Sequence, residues 1–252
     1  MKTDGFSNIE VAYCGTQFKV LKECIHSNSS FYLAENFSPI SEVLVKVWDE
    51  EKINFFDSLI DEDFVIIDAG ASYGAFSLLA KRHPSSSWFC FEPNPNVALK
   101  LSINLALNDC SNVEVYNWAL SKKSGFQELW IPNEHIGLST LAKNPQRFKK
   151  EMARKIVVPV TSVNNLFSGR RIDLIKSDIE GGEFNLLKGS TKVLSNQRPL
   201  LFLELHDSDL RQHRSSRNRV IKFLKRYNYK ITEELGADVL ATPVERVLKN
   251  FK

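Results

Sequence analysis

From residue 64 onward, short apolar runs alternate with segments of helical spacing. FVIID (64–68) and SWFCFEP (87–93) are β-branched or aromatic runs with almost no polar interruption, the pattern of strands buried on both faces. Between them Ala75 to His83 has room for a helix, ended by Pro84. After the second run Asn94 can cap a helix, Pro95 suits its first turn, and Val97, Leu101 and Leu105 recur on one face. VEVYNWAL (113–120) reads as a third strand and FQELWIP (126–132) as a short extended piece. KIVVPV, DLIKSDIEGG, the helix-like EFNLLKGSTKVLS and PLLFLELH follow, then a basic amphipathic helix over roughly 218–227. YKITEEL and DVLATP close the chain as two candidate strands. Such alternation predicts an α/β fold: a Rossmann-like, doubly wound, mostly parallel sheet with an antiparallel terminal strand, binding ligands at the carboxyl ends of its strands.

Two segments fall outside the alternation. Residues 1–60 hold short extended runs and a helix candidate starting near Ser41, in which Leu44, Trp48, Phe55 and Leu59 share a face. They read as an N-terminal extension that covers the acceptor site of a main domain over 61–252. Residues 133–155 form a long, polar, basic insertion, and long connections in compact domains are often lids or binding loops.

Composition narrows the class only a little. The chain has 252 residues, 43% hydrophobic and 25% charged, and a net charge of +3, too mild to argue for nucleic acid. The N-terminus lacks an apolar leader and no transmembrane-length apolar stretch occurs, so a cytoplasmic protein is expected. The four cysteines form no CxxC pair and lie at no zinc spacing from a histidine.

The candidate chemistry begins at VIIDAGASYG (65–74). A dinucleotide fingerprint needs GxGxxG after the first strand, and here only Gly70 and Gly74 are present, with Ser72 between them. Asp68, two residues before Gly70, would repel a pyrophosphate but attract a ligand with ammonium or sulfonium character. S-adenosylmethionine is such a ligand. Glu92 ends the second strand near the ~20-residue offset at which an acid meets ribose hydroxyls in Rossmann-like folds. The plainer reading of GxxxG alone is a tight turn with close helix packing. An NAD-binding oxidoreductase and a non-catalytic nucleoside-binding module are the rival functions; the broken fingerprint argues against the first and the acidic and histidine-bearing strand ends against the second.

Side-chain alternation puts Lys176, Asp178 and Glu180 on one parity of DLIKSDIEGG, and Glu204 and His206 share a face at the end of PLLFLELH. Neighbouring strands lie ~4.8 Å apart, so these groups would converge if the two strands pair. Methylation of an alcohol needs alignment of the acceptor oxygen and removal of its proton. A histidine is the simplest base, which favours His206, with Asp178 or Glu204 as orienter or substrate anchor. The plainer reading is that Glu204 and His206 satisfy each other at a strand end. Asp178, Glu204 and His206 are also donors for Mg²⁺ or Mn²⁺, but no known metal spacing is present and a metal is not favoured. His26, His83 and His213 read as surface residues; His135, in the insertion near Ser139 and Thr140, is placed to touch the acceptor. Basic runs over 143–155 and 211–226 are ordinarily solvated faces. Their functional reading is an anionic acceptor, and sparse aromatic interleaving argues against single-stranded nucleic acid.

The stretches VIIDAGASYG, CFEPNP, LSINLALNDCSNVEVYNWALSKKSG, LIKSDIEGGEFNLLKG and LFLELH, taken in this order, resemble the FkbM-type family of S-adenosylmethionine-dependent methyltransferases. The resemblance implies a class I methyltransferase fold and methyl transfer, usually to a hydroxyl of a sugar, glycan or natural product, with S-adenosylhomocysteine as product. It further implies that Asp68, Gly70, Ala71, Ser72, Tyr73 and Gly74 line the methionine part of the cofactor, Glu92 the ribose, and Asn117, Trp118 and Ala119 the adenine. Pro93 and Asp178 are further candidates for cofactor contact. Trp118 is equally well read as an ordinary core aromatic. The chain departs from the family pattern at Ser72, where the family often has Asn, and at Asn164 or Asn165, where it has Asp.

Overall fold

The computed structural model describes residues 8–13, 16–21, 50–133, 138–143, 145, 146 and 149–249. Leu44, Trp48, His26 and His135 lie outside the described residues, as does most of the 1–60 extension. Strands β1 (Asn8–Tyr13) and β2 (Thr16–Leu21) form an antiparallel hairpin of their own. The side chain of Asn108 clamps it, accepting from the Lys19 amide at 2.9 Å and donating to the Lys19 carbonyl at 2.7 Å. Helix α1 (Glu50–Asp57) belongs to the core: Phe56 is fully buried and its ring meets those of Phe76, Trp88 and Phe202 at 5.1, 6.2 and 5.6 Å.

The chain then builds β3 (Val65–Ala69), a 3₁₀ turn (Ser77–Lys81), β4 (Ser87–Phe91), α2 (Pro95–Leu107) and β5 (Val113–Tyr116). A side arm follows: β6 (Ala119–Leu120), β7 (Gly125–Pro132) and β8 (Ala153–Thr161). Helix α3 (Val163–Phe167), β9 (Leu174–Ser177), α4 (Glu183–Lys188), α5 (Thr191–Asn196) and β10 (Leu200–Glu204) return to the sheet. Helices α6 (Asp207–Gln212) and α7 (Arg217–Arg226), strands β11 (Tyr229–Leu235) and β12 (Asp238–Pro243), and α8 (Val244–Lys249) complete it. Among the described residues no helix is long and apolar enough to cross a membrane.

The main sheet has the order β11-β12-β10-β9-β3-β4-β5. Strands β5, β4, β3, β9 and β10 are parallel, and β12, the last strand of the chain, runs antiparallel to both neighbours. The chain winds outward from β3 through β4 to β5, then crosses back to β9 on the other side. The gap above β3 and β9 is therefore the point where winding reverses, where doubly wound sheets bind ligands. Both faces are covered. One carries Phe56, Trp88, Leu101 and Phe202, and the other Phe89, Phe167, Leu186 and Leu224. That double burial is why the strands read as continuous apolar runs.

Three local expectations come out differently. The 75–83 segment gives only the 3₁₀ turn, because the Ser77 hydroxyl is held by Asp68 beneath it and Pro84 follows at once. EFNLLKGSTKVLS is two helices, broken at Gly189, where a Cβ would lie 2.2 Å from the Ser121 carbonyl oxygen. KIVVPV is not in the main sheet: β8 pairs antiparallel with β7 and parallel with β6 in a separate three-stranded sheet. The predicted insertion is thus the tip of a β-arm, with Thr140 bridged to Trp130.

Candidate active site

The turn after β3 is built by backbone contacts that exclude side chains. Gly70 has φ +75, and a Cβ there would sit 1.9 Å from the Asp178 carbonyl oxygen, so the loops after β3 and β9 touch main chain to main chain. The amides of Gly70 and Ala71 both donate to the Phe91 carbonyl, at 2.9 and 3.1 Å, which ties the turn to β4. Ser72, at φ 50, turns its amide toward Glu92 and donates to Oε2 at 3.1 Å, while the Asn94 amide donates to Oε1 at 2.9 Å. Burial outweighs these two amides and pushes the Glu92 carboxyl up to about 7.

A cavity of about 330 Å³ opens over this turn, in the size range of small-molecule sites. Of the sequence-predicted residues, Gly70, Ser72, Glu92, Pro93, Ala119 and Asp178 line it. Ala71, Tyr73 and Gly74 support the turn from behind. Gly74 lies against Leu101, whose Cδ1 would be 2.9 Å from an added Cβ. Asn117 acts one step back, its Nδ2 donating to the Glu92 carbonyl at 2.8 Å. Trp118 is 37% exposed beside Tyr116 and is not among the lining residues.

Asp68 is also absent from the lining, for a clear reason. It is fully buried, the Ser77 hydroxyl donates to its Oδ2 at 2.5 Å, and Lys176 Nζ stands 3.2 Å from Oδ1. Lys176 also donates to the Gly70 carbonyl at 3.0 Å. Burial alone would lower the Lys176 pKa, but Asp68 and Asp178 outweigh it and raise it, so the ammonium stays charged. The pair braces the underside of the turn instead of facing a ligand. Strand register accounts for this, since Asp68 and Lys176 are direct partners across β3 and β9.

At the other strand ends, Asp178 lines the cavity, and Glu204, close to it, does not. The nearby charge of Asp178, together with burial, raises Glu204 well above the ordinary carboxylate range, so Glu204 is protonated at pH 7. Glu204 pairs in register with Asp238, whose carboxylate meets Lys52 of α1 at 2.5 Å. Glu183 is buried, accepts from the Ile179 amide at 2.9 Å, and is pushed up to about 8 by desolvation. Among the described residues no group of His, Cys, Asp and Glu side chains forms a metal-ligand cluster. Asn164, at a departure from the family pattern, accepts from the Lys192 and Val193 amides and so caps α5, away from the cavity.

His206, expected as the base, is not brought to the cavity. It caps the start of α6, its side chain is 53% exposed, and Nδ1 meets the Ser208 hydroxyl at 2.7 Å. His213, read from the sequence as a surface residue, lines the cavity instead. Its Nε2 lies 3.1 Å from the Thr140 hydroxyl, which donates to the Glu180 carbonyl at 3.2 Å. Burial lowers the His213 pKa below 6.5, so the ring is neutral at pH 7. Gly181 permits this placement: at φ +93, a Cβ there would be 2.2 Å from the Asp209 carbonyl oxygen and 2.9 Å from His213 Cδ2. The glycine pair after Glu180 was the available signal, since a residue one place past a short helix has no periodicity to mark it.

The family whose model describes a methyltransferase FkbM domain matches residues 68–231, more than half of the chain. Methyltransferase sdnD of Sordaria araneosa is 32% identical over 153 residues, covering 49% of this chain and 59% of that protein. Methyltransferase 1 of Beauveria bassiana (strain ARSEF 2860) is 26% identical over 182 residues, covering 62% and 73%. The crystal structure of methyltransferase FkbM from Methylobacillus flagellatus KT superposes with a TM-score of 0.49 at 17% identity, over 86% of this chain and 58% of that one. The chain thus spans about three fifths of the length of the first of these relatives.

Proposed function

Since the chain belongs to the FkbM methyltransferase family, we propose that it transfers a methyl group from S-adenosylmethionine to a hydroxyl oxygen of a small-molecule or glycan acceptor. The observation that carries this is the cavity above β3 and β9, where Glu92, Asp178 and Glu180 meet the turn at Gly70 and Ser72. The residues fit the cofactor. A cationic sulfonium nucleoside gains from these acids, whereas a diphosphate would be repelled by them. Glu92 has a free lone pair on each oxygen beyond the two amide bonds, enough to accept from a ribose diol. Phe91, Val97 and Leu120 give the cavity apolar walls for a purine.

S-adenosylmethionine, when bound, supplies the methyl group on a positively charged sulfur. The chain's part is to hold the acceptor hydroxyl and take its proton. His213 is suited to the second task, being neutral, partly desolvated and at the cavity wall. If the Thr140 hydroxyl proton lies toward the Glu180 carbonyl, Thr140 can only accept from His213 Nε2–H, which leaves Nδ1 unprotonated as the base. Asp178 is the acceptor anchor, and Glu204, protonated close to it, keeps it in place. Calorimetry with S-adenosylhomocysteine and NADH tests the reading. Micromolar binding of the first alone is expected, and binding of NADH alone would overturn it in favour of a dehydrogenase.

A further inference from the structure

The geometry points to an acceptor that carries an anionic group, a carboxylate or phosphate, held by Lys143, Arg211 and Arg214 at the mouth of the cavity. The inference rests on the methyltransferase reading only for the role of the deeper cavity. A second hollow of about 400 Å³ adjoins the first and is lined by Lys143, Gln146, Ser208, Arg211, Gln212 and Arg214. Every described lining residue is polar, three are cations and none is an acid. Lys143, Gln212 and Arg214 line both hollows, so the two communicate directly. Arg214 also follows His213 in the chain, which puts a cation within one side-chain length of the proposed base.

The cations come from two separate segments that the fold ties together. The Gln146 amide donates to the Gln212 side-chain oxygen at 2.9 Å, and Gln212 Nε2 donates to Asp209 Oδ1 at 3.1 Å. Arg214 is set by a left-handed backbone, φ 56, with its carbonyl accepting from Arg219 Nη1 at 2.6 Å. Other surface cations have found acids: Arg82 with Asp57, Lys155 with Glu128, Arg198 with Glu245 and Arg217 with Glu234. Among the described residues, no acid lies in ion-pair contact with Lys143, Arg211 or Arg214. Attraction to the carboxyl end of α6 accounts for Arg211 at the last turn, but not for Lys143 arriving from the β-arm. Three converging cations repel one another, and an anion between them removes that repulsion. Among the described residues that line the hollow none is aromatic, so nucleic-acid bases find no stacking platform on them, and a small anionic molecule is the better occupant.

Titration calorimetry with inorganic phosphate, glucose 6-phosphate, glucuronate and glucose tests this, on the full chain with and without S-adenosylhomocysteine. At least one anion should bind while glucose does not, and the two sugar anions separate phosphate from carboxylate. Arg211→Glu, which alters the outer hollow alone, should weaken that anion tenfold or more and leave S-adenosylhomocysteine affinity unchanged. Arg211→Gln should fall between the two. Absence of anion binding, or equal affinity in Arg211→Glu, would overturn the inference. So would an oligouridylate that binds tenfold tighter than the sugar anions and loses affinity in Arg211→Glu, because the occupant would then be RNA. Loss of S-adenosylhomocysteine binding in the unmodified protein would count against the proposed function, while the anion titrations remain readable.

Discussion

The two ends of the cavity are built from different materials. The end at Gly70, Ser72 and Glu92 is made of strand ends and main-chain contacts. Its amides are committed to Phe91 and Glu92, and its underside is braced by the buried Asp68–Lys176 pair. The end at Lys143, His213 and Arg214 is made of side chains from the β-arm and from the loop after α6. The first end has little freedom to change, because each atom answers to a sheet register or a closed backbone approach. The second is more open, with Lys143 and Arg214 exposed and joined by a few polar contacts, so substitutions there alter what binds without unmaking the sheet. On the proposed methyl-transfer reading, a constant cofactor and a specific acceptor make these two demands.

The largest effect should come from the brace. Lys176→Met leaves Asp68 as a buried, unpaired carboxylate, and should destabilise the protein by about 3–5 kcal/mol in urea unfolding. A loss below about 1 kcal/mol would mean that the turn does not depend on the pair. Next, at the other end, His213→Ala should lower kcat on the acceptor roughly 10²-fold with S-adenosylhomocysteine affinity unchanged. The base must be neutral, and burial sets its pKa below 6.5. Activity in the unmodified protein should therefore rise with pH through a value under 6.5 and then level, a limb absent in the variant.

Glu92→Gln comes third, with about tenfold weaker cofactor binding. The carboxyl is raised to about 7 in the folded protein, and accepting from a diol favours its ionised form. Cofactor affinity should therefore climb from pH 6 to 8 and plateau, and the glutamine variant should show no such climb. Stability carries the opposite sign. A raised carboxyl pKa contributes stability that is whole below the ordinary 4.5 and is lost as pH rises through about 7. The ligand-free protein should lose that part of its melting temperature over this window, and Glu92→Gln should not. The smallest effect is expected of His206→Ala, at the exposed start of α6: within about 0.5 kcal/mol in stability and under threefold in kcat. A hundredfold loss of kcat there, with His213→Ala unaffected, would return the base to His206.

Strand positions were legible because burial on both faces writes itself as unbroken apolar runs, as at 64–67 and 200–203. Asn94 capped α2 as its sequence suggested, with Oδ1 accepting from the Asn96 amide. KIVVPV misled because a strand in a side sheet and one in the main sheet have the same composition. Asp68 and Glu92 end neighbouring strands and looked equivalent, yet one is partnered by Lys176 across the β3–β9 register and the other opens to the cavity. Of the six predicted residues that line the cavity, Gly70, Ser72 and Glu92 meet there because they belong to the strand ends and the turn after β3. Thr140, His213 and Arg214 belong to loops with no repeating pattern, and their meeting is invisible along the chain.

By itself the sequence determined the doubly wound sheet, the turn at Gly70 and the acid at Glu92, because burial periodicity and backbone conformation are local properties of the chain. Only the tertiary structure decided which carboxylates are masked, which histidine reaches the cavity and where the cations of two segments gather. Those depend on strand register and on loops from distant segments closing against each other, and no local rule of residue type or spacing encodes such contacts.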